Sequence, residues 1–173
     1  MTKAIEPKRL QDLLRLFSSL RKLQEHLLAL VQSKIDAMRR ADIPAMRELD
    51  ERERAIAKRL HQREGLRRQL MDAIGEEMGL PPQTARALTV SQLASRLPGP
   101  QRPGLLNAAE KLREAASKAT QVNRVAGVIS REILNHLKWV FASVKPADGE
   151  PVGYAGDGAL VAPAETRIFE TVG

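Results

Sequence analysis

Three histidines are the obvious metal ligands of this chain, and their spacing argues against a metal. His26, His61 and His136 fall in three separate helical stretches. No HExxH pattern sets two imidazoles one helical turn apart. The chain has no cysteine, which removes disulfides, thiolate zinc sites and cysteine nucleophiles. No Gly-x-Ser-x-Gly elbow presents a serine for acyl transfer. Glu76 and Glu77 form a carboxylate pair in a run of mixed charge, where a solvated helix face accounts for them without acid–base work. The last candidate is GYAGDG, Gly153 to Gly158. A phosphate loop needs a preceding strand, a following helix and, in the P-loop, a lysine followed by Ser or Thr. None of these accompanies the motif. The expectation is a non-enzyme with no catalytic residue, no cofactor and no metal, whose chemistry is that of binding.

The composition says what kind of scaffold would do that binding. Apolar residues make up 43% of the chain but aromatics only 3%. The apolar set is mostly Leu, Ala, Val and Ile, which with abundant Arg and Glu favours long helices over a sandwich or barrel. The N-terminal MTKAIEPKRL lacks the apolar core of a secretory signal. The most apolar stretch, VAGVISREILNHLKWVFASV, contains Arg131, Glu132, His136 and Lys138, a load that membrane spans seldom carry. A soluble, cytoplasmic protein without membrane insertion is expected. Charge divides unevenly: residues 1–145 hold 27 basic and 16 acidic residues, and residues 146–173 hold one and five. A basic body thus precedes an acidic tail. In RELDERERAIAKRL the two signs interleave at helical i, i+4 spacing, the pattern of a solvated helix face.

Hydrophobic periodicity places the elements. Leu10, Leu13, Phe17, Leu20, Leu27, Val31, Ile35 and Met38 recur at spacings of three, four or seven, one face of a helix over about 4–41. Asp42 is a good N-cap and Pro44 fits only a first turn. A second helix over about 43–79 therefore folds back as a hairpin. It carries Met46, Leu49, Ile56, Leu60, Leu70, Ile74 and Met78, and ends at Gly79 and Pro81-Pro82. TVSQLASRL reads as a capping box, Thr89 at N-cap and Gln92 at N3, opening a short helix over 90–97. PGPQRPG connects it to a third long helix over about 105–145. The seam of that helix is regular: Ala109, Leu112, Ala116, Ala119, Asn123, Ala126, Ser130, Ile133, Leu137, Val140, Val144. Steps alternate three and four, as in a coiled coil. From residue 146 the chain is rich in Gly, Pro and acids with no helical period, which predicts a flexible tail. The expected fold is all-α: an elongated antiparallel helical hairpin in a three-long-helix bundle with coiled-coil packing, one short connecting helix and a flexible C-terminal tail. The helical domain covers 1–145 and the tail 146–173.

The third helix has more apolar surface than one packing partner needs. On a wheel of about 100° per residue, the apolar side chains of 122–144 cover about half the circumference, whereas one partner uses a stripe of roughly 100°. Burial on both flanks of a three-helix bundle would account for the wide arc. Val128 and Trp139 fall outside even that arc. An exposed apolar patch usually marks a partner site, and an amphipathic helix is its natural occupant.

Several features in order, the hairpin at ADIPAMREL, the short TVSQLASRLP helix, the QVNRVAGVISREILNHLKWVFASV helix and a tail opening on Tyr154, resemble the FlgN family of flagellar export chaperones. The resemblance covers roughly residues 8–158. The family's hairpin turn often reads Gly-Asp; here Asp42 matches and Ala41 departs. Its last helix often carries Asn-x-x-Asn; Asn123 matches and Ala126 departs. Its tail often shows a Tyr-Gly-x-x-Gly-like sequence; Tyr154 and Gly158 match and Ala155 departs. The resemblance implies a cytoplasmic type III export chaperone. Such a protein binds the C-terminal amphipathic helix of hook-associated, hook–filament junction proteins, prevents their premature self-association and delivers them to the export gate. It places the client on the last helix, where the expected contacts are Val122, Val125, Val128, Ile129, Leu134, Trp139 and Phe141. It associates the tail with docking to export gate or ATPase components, with Tyr154 as the anchor. Two other readings stay open on the residues alone: a basic coiled coil that binds nucleic acid, and a structural coiled-coil subunit that self-associates through the same last helix.

Overall fold

The computed structural model describes residues 5–143, together with the backbone of Gly153–Tyr154 and Leu160–Val161. Helix α1 spans Pro7–Arg39, with proline in its first turn, where a missing N–H costs nothing. Two stripes of α1 are buried rather than the single stripe the sequence suggested. Leu10, Leu13, Phe17, Val31 and Ile35 form one; Leu16, Leu23 and Leu30, a heptad apart, form the other. Leu23 and Leu30 pack on Ile56 of α2, which spans Ile43–Glu77. Val31 and Ile35 pack on Ala126 of α5, which spans Arg102–Ser143. The helix flanked on two sides is therefore α1.

The hairpin turn is a Schellman motif. Asp42 N–H donates to Ala37 O at 3.0 Å and Ala41 N–H to Met38 O at 3.1 Å. Ala41 takes φ +52° to close it, a left-handed conformation that costs a Cβ-bearing residue roughly 1 kcal/mol. Asp42 then caps α2 as the sequence predicts, its Oδ1 accepting from Ala45 N–H at 3.1 Å. The far end of α2 repeats the motif with glycine: Gly79 at φ +76°, Gly79 N–H to Glu76 O at 2.9 Å and Leu80 N–H to Gly75 O at 3.0 Å.

Two short helices, not one, link α2 to α5. Pro81-Pro82 ends α2 as expected, but Pro82 also starts the one-turn helix α3, Pro82–Arg86. This helix lies so close that a Cβ on Gly75 would come within 2.7 Å of Ala85 Cβ. Helix α4, Val90–Arg96, has the predicted capping box: Gln92 N–H donates to Thr89 Oγ1 at 3.2 Å and Thr89 N–H to Gln92 Oε1 at 2.9 Å. Arg102 ties the connector down by donating to Ala94 O and Ser95 O, each at 3.0 Å.

The main core joins the start of α1, the end of α2, α4 and the start of α5. Leu13, Phe17, Ile74, Leu93 and Leu105 are essentially solvent-free there. Because the start of α1 meets the start of α5, and Val31 and Ile35 meet Ala126, the two helices run parallel. Among the described residues, β1 (Gly153–Tyr154) and β2 (Leu160–Val161) pair antiparallel, Gly153 with Val161 and Tyr154 with Leu160. The sequence reading contained no strand; this two-residue ladder is an addition to the all-α fold that the five helices bear out. The flexibility expected over 146–173 otherwise lies outside the described residues. The chain divides into two compact units, residues 1–131 and 132–173, with the division inside α5.

Candidate partner-docking surface

Up to Ser130 the α5 seam behaves as its sequence suggests. Ala119 and Ala126 are buried, Ala109, Leu112 and Ala116 are half-buried, and only Asn123 is exposed. Small side chains suit a close helix approach, with Ala126 against Val31 and Ile35. Ser130 Oγ donates to Ala126 O at 2.9 Å and lies 3.7 Å from Met38 Sδ. Helix α1 ends one residue after Met38, whereas α5 continues for thirteen after Ser130.

The seven proposed contacts separate into two groups. Val122 and Ile129 pack on the Val31, Ile35 and Ala126 cluster, so they belong to the bundle. Val125 and Val128 are exposed at 47% and 45%, on the same stretch of helix. Leu134, Trp139 and Phe141 are exposed at 56%, 66% and 63%. Ile133 and Leu137 join them at 36% and 43%, although the sequence had placed both in the seam. The sequence carried no signal for this, since it read the two helices as nearly equal in length, whereas α1 has 33 residues and α5 has 42. His136 stacks on Trp139, ring centroids 6.2 Å apart and planes inclined by 26°. The backbone of Tyr154 belongs to the β1–β2 ladder.

The chemistry around this surface is that of packing. Among the described residues no three metal-ligating side chains converge, and His26, His61 and His136 are each exposed. Glu77 Oε2 is ion-paired to Arg9 Nε at 2.9 Å, while Glu76 faces solvent. Lys34 bridges the hairpin to Asp50 and to Glu53, the latter at 2.9 Å. Burial alone would lower the Lys34 pKa, but its hydrogen bonds to Asp50 and Glu53 outweigh burial and raise it. Glu64 is held below the ordinary carboxylate range by its hydrogen bond to Arg67, against the effect of burial. The Lys34 bridges tie α1 to α2, whereas the Glu64–Arg67 pair lies within α2. No helix among the described residues is long and apolar enough to cross a membrane.

Comparison with known proteins agrees with this architecture. No curated protein and no solved structure matches the chain significantly. A family model described as FlgN protein matches residues 1–162, and so takes in the hairpin, the linking helices, all of α5 and the β1–β2 ladder. The chain belongs to the FlgN family of flagellar export chaperones.

Proposed function

We propose that this chaperone holds the C-terminal amphipathic helix of a hook–filament junction protein against the exposed apolar face of α5. The observation that carries the reading is the exposed flank of Leu134, Leu137 and Phe141, each more than two-fifths exposed, with Trp139 exposed on the other side of the same stretch of helix. An amphipathic helix buries its own apolar stripe there, which contributes about 1.5–3 kcal/mol for each large side chain covered. Covering that stripe also keeps the client from associating with itself. Val125 and Val128 are exposed on the Trp139 side of the helix, nearer the start of α5. Val122 and Ile129 support it from within the bundle. The chaperone works in the cytoplasm, ahead of secretion, and performs no catalysis. Residues 146–173 then deliver the complex, with Tyr154 as the aromatic anchor for an export gate or ATPase component.

The test separates holding from delivery. Leu134→Asp should weaken binding of a junction protein's C-terminal helix, read by titration calorimetry, while the melting temperature stays put. Deleting 146–173 should spare that binding and impair secretion of the client. If the deletion abolished client binding, the tail would belong to the client site and the division of labour would be wrong.

A further inference from the structure

A second groove runs between α1 and α2. At one end an open cavity of about 460 Å³ is lined by Asp12, Arg15, Leu16, Arg63, Leu66 and Leu70, among others. Sharing Arg15 and Ser19, a second cavity of about 360 Å³ continues it past Lys22, Leu23 and His26 on α1 and Arg59 on α2. From Asp12 to His26 the α1 wall is about 21 Å long at 1.5 Å per residue, roughly four helical turns.

The floor and the rim of this groove differ in kind. Leu16 and Leu23 are buried and Leu70 half-buried, while Leu66 is 48% exposed and belongs to none of the packed clusters. The rim carries Arg15, Lys22, Arg59 and Arg63, all exposed, against the single acid Asp12. Asp12 is engaged by Arg15 at 3.5 Å. Lys22, Arg59 and Arg63 have no ion pair among the described residues. Arg47, Arg54 and Lys58 of α2 are likewise without an ion pair among the described residues, but none of them lines the groove.

We infer that the α1–α2 groove is a second docking site, for an acidic amphipathic helix of a partner protein. The apolar stripe of that helix covers Leu66 and Leu70, and its flanking carboxylates meet Lys22, Arg59 and Arg63 on the rim. Nucleic acid fits less well. Among the lining residues only His26 offers a ring on which a base could stack, and the exposed Leu66 would stay uncovered. The inference is independent of client binding, which uses α5.

A fluorescein-labelled synthetic helix tests it, about four turns long, with leucines at i, i+4, i+7 and i+11 and glutamates on either side. Its anisotropy is titrated with the full-length chain. Saturable binding is expected, weakening about tenfold for the R59E/R63E double variant and for Leu66→Asp. A scrambled peptide of the same composition should bind at least as poorly. Circular dichroism should show both variants fully helical, and each should bind the junction-protein helix as the unaltered chain does. The proposal is overturned if the ordered peptide does not bind, or if it binds no better than the scrambled one. Insensitivity to both variants overturns it equally. Tighter binding by a peptide of residues 146–173 would make the chain's own acidic tail the occupant. Displacement of the labelled helix by a single-stranded oligonucleotide would make the site a polyanion track. Either result ends the partner-helix assignment.

Discussion

Helix α5 is one element with two kinds of surface. From Arg102 to Arg131 its buried positions are Leu105, Ala115, Ala119 and Ala126, and alanine dominates among them. From Glu132 to Ser143 its apolar residues are larger, yet Leu134, Leu137, Trp139 and Phe141 are all exposed. Ordinary core logic would put large residues inside and small ones at the margin. The reversal divides a single helix in two: its alanine segment packs in the bundle, and its large apolar residues are exposed. A folded chain can keep Trp139 in water only if the remaining core is sufficient without it. The Leu13, Phe17, Ile74, Leu93 and Leu105 cluster supplies that core.

The comparison is broken most directly by truncating one leucine from each segment. Leu105→Ala should cost about 2–5 kcal/mol of stability, since that side chain is fully buried. Leu134→Ala should change stability by no more than about 0.5 kcal/mol, as for other surface positions. Chemical denaturation of both variants reads the difference, and equal losses would erase the distinction. Next comes Trp139→Ala, which should weaken client binding by about 1.5–3 kcal/mol with the melting temperature nearly unchanged. A large melting loss would move Trp139 into the core. Overfilling the alanine segment should do the opposite: Ala119→Leu, at a position 2% exposed, should destabilise by about 1–3 kcal/mol. The smallest effect is a gain. Ala41→Gly relieves the left-handed strain at φ +52° and should stabilise the hairpin by about 0.5–1 kcal/mol, leaving client affinity unaltered.

Most of the fold was legible because its signals are local. The Asp42 cap, the Thr89–Gln92 capping box and the Gly79 stop depend on neighbouring residues, and each is formed where the sequence put it. What escaped depends on tertiary partners. The second stripe of α1, Leu16, Leu23 and Leu30, becomes meaningful only once α2 lies against it. Pro82 ends one helix and opens another, and a proline pair alone does not distinguish the two roles. The candidate surface was legible in part. The excess apolar area read on the last helix is exposed in the structure at Val128 and Trp139. Periodicity could not divide that area, since Ile129 and Ile133 continue one pattern while the first packs on α1 and the second is exposed. The turn at Ala41 shows the converse. Sequence registered the missing glycine as a departure from the family, whereas the backbone keeps the glycine-type conformation regardless.

Trp139 is the only tryptophan in the chain and is 66% exposed, so its fluorescence reports directly on the proposed client surface. The deciding measurement is a titration of the full-length chaperone with the C-terminal helix of a hook–filament junction protein, followed by tryptophan emission with a client helix that lacks tryptophan. The account predicts a saturable blue shift as the indole leaves water, with a midpoint that moves to weaker binding in Leu134→Asp. Tight binding with unchanged emission would place the client elsewhere on the molecule. No binding by any junction-protein helix would contradict the chaperone assignment for this surface altogether.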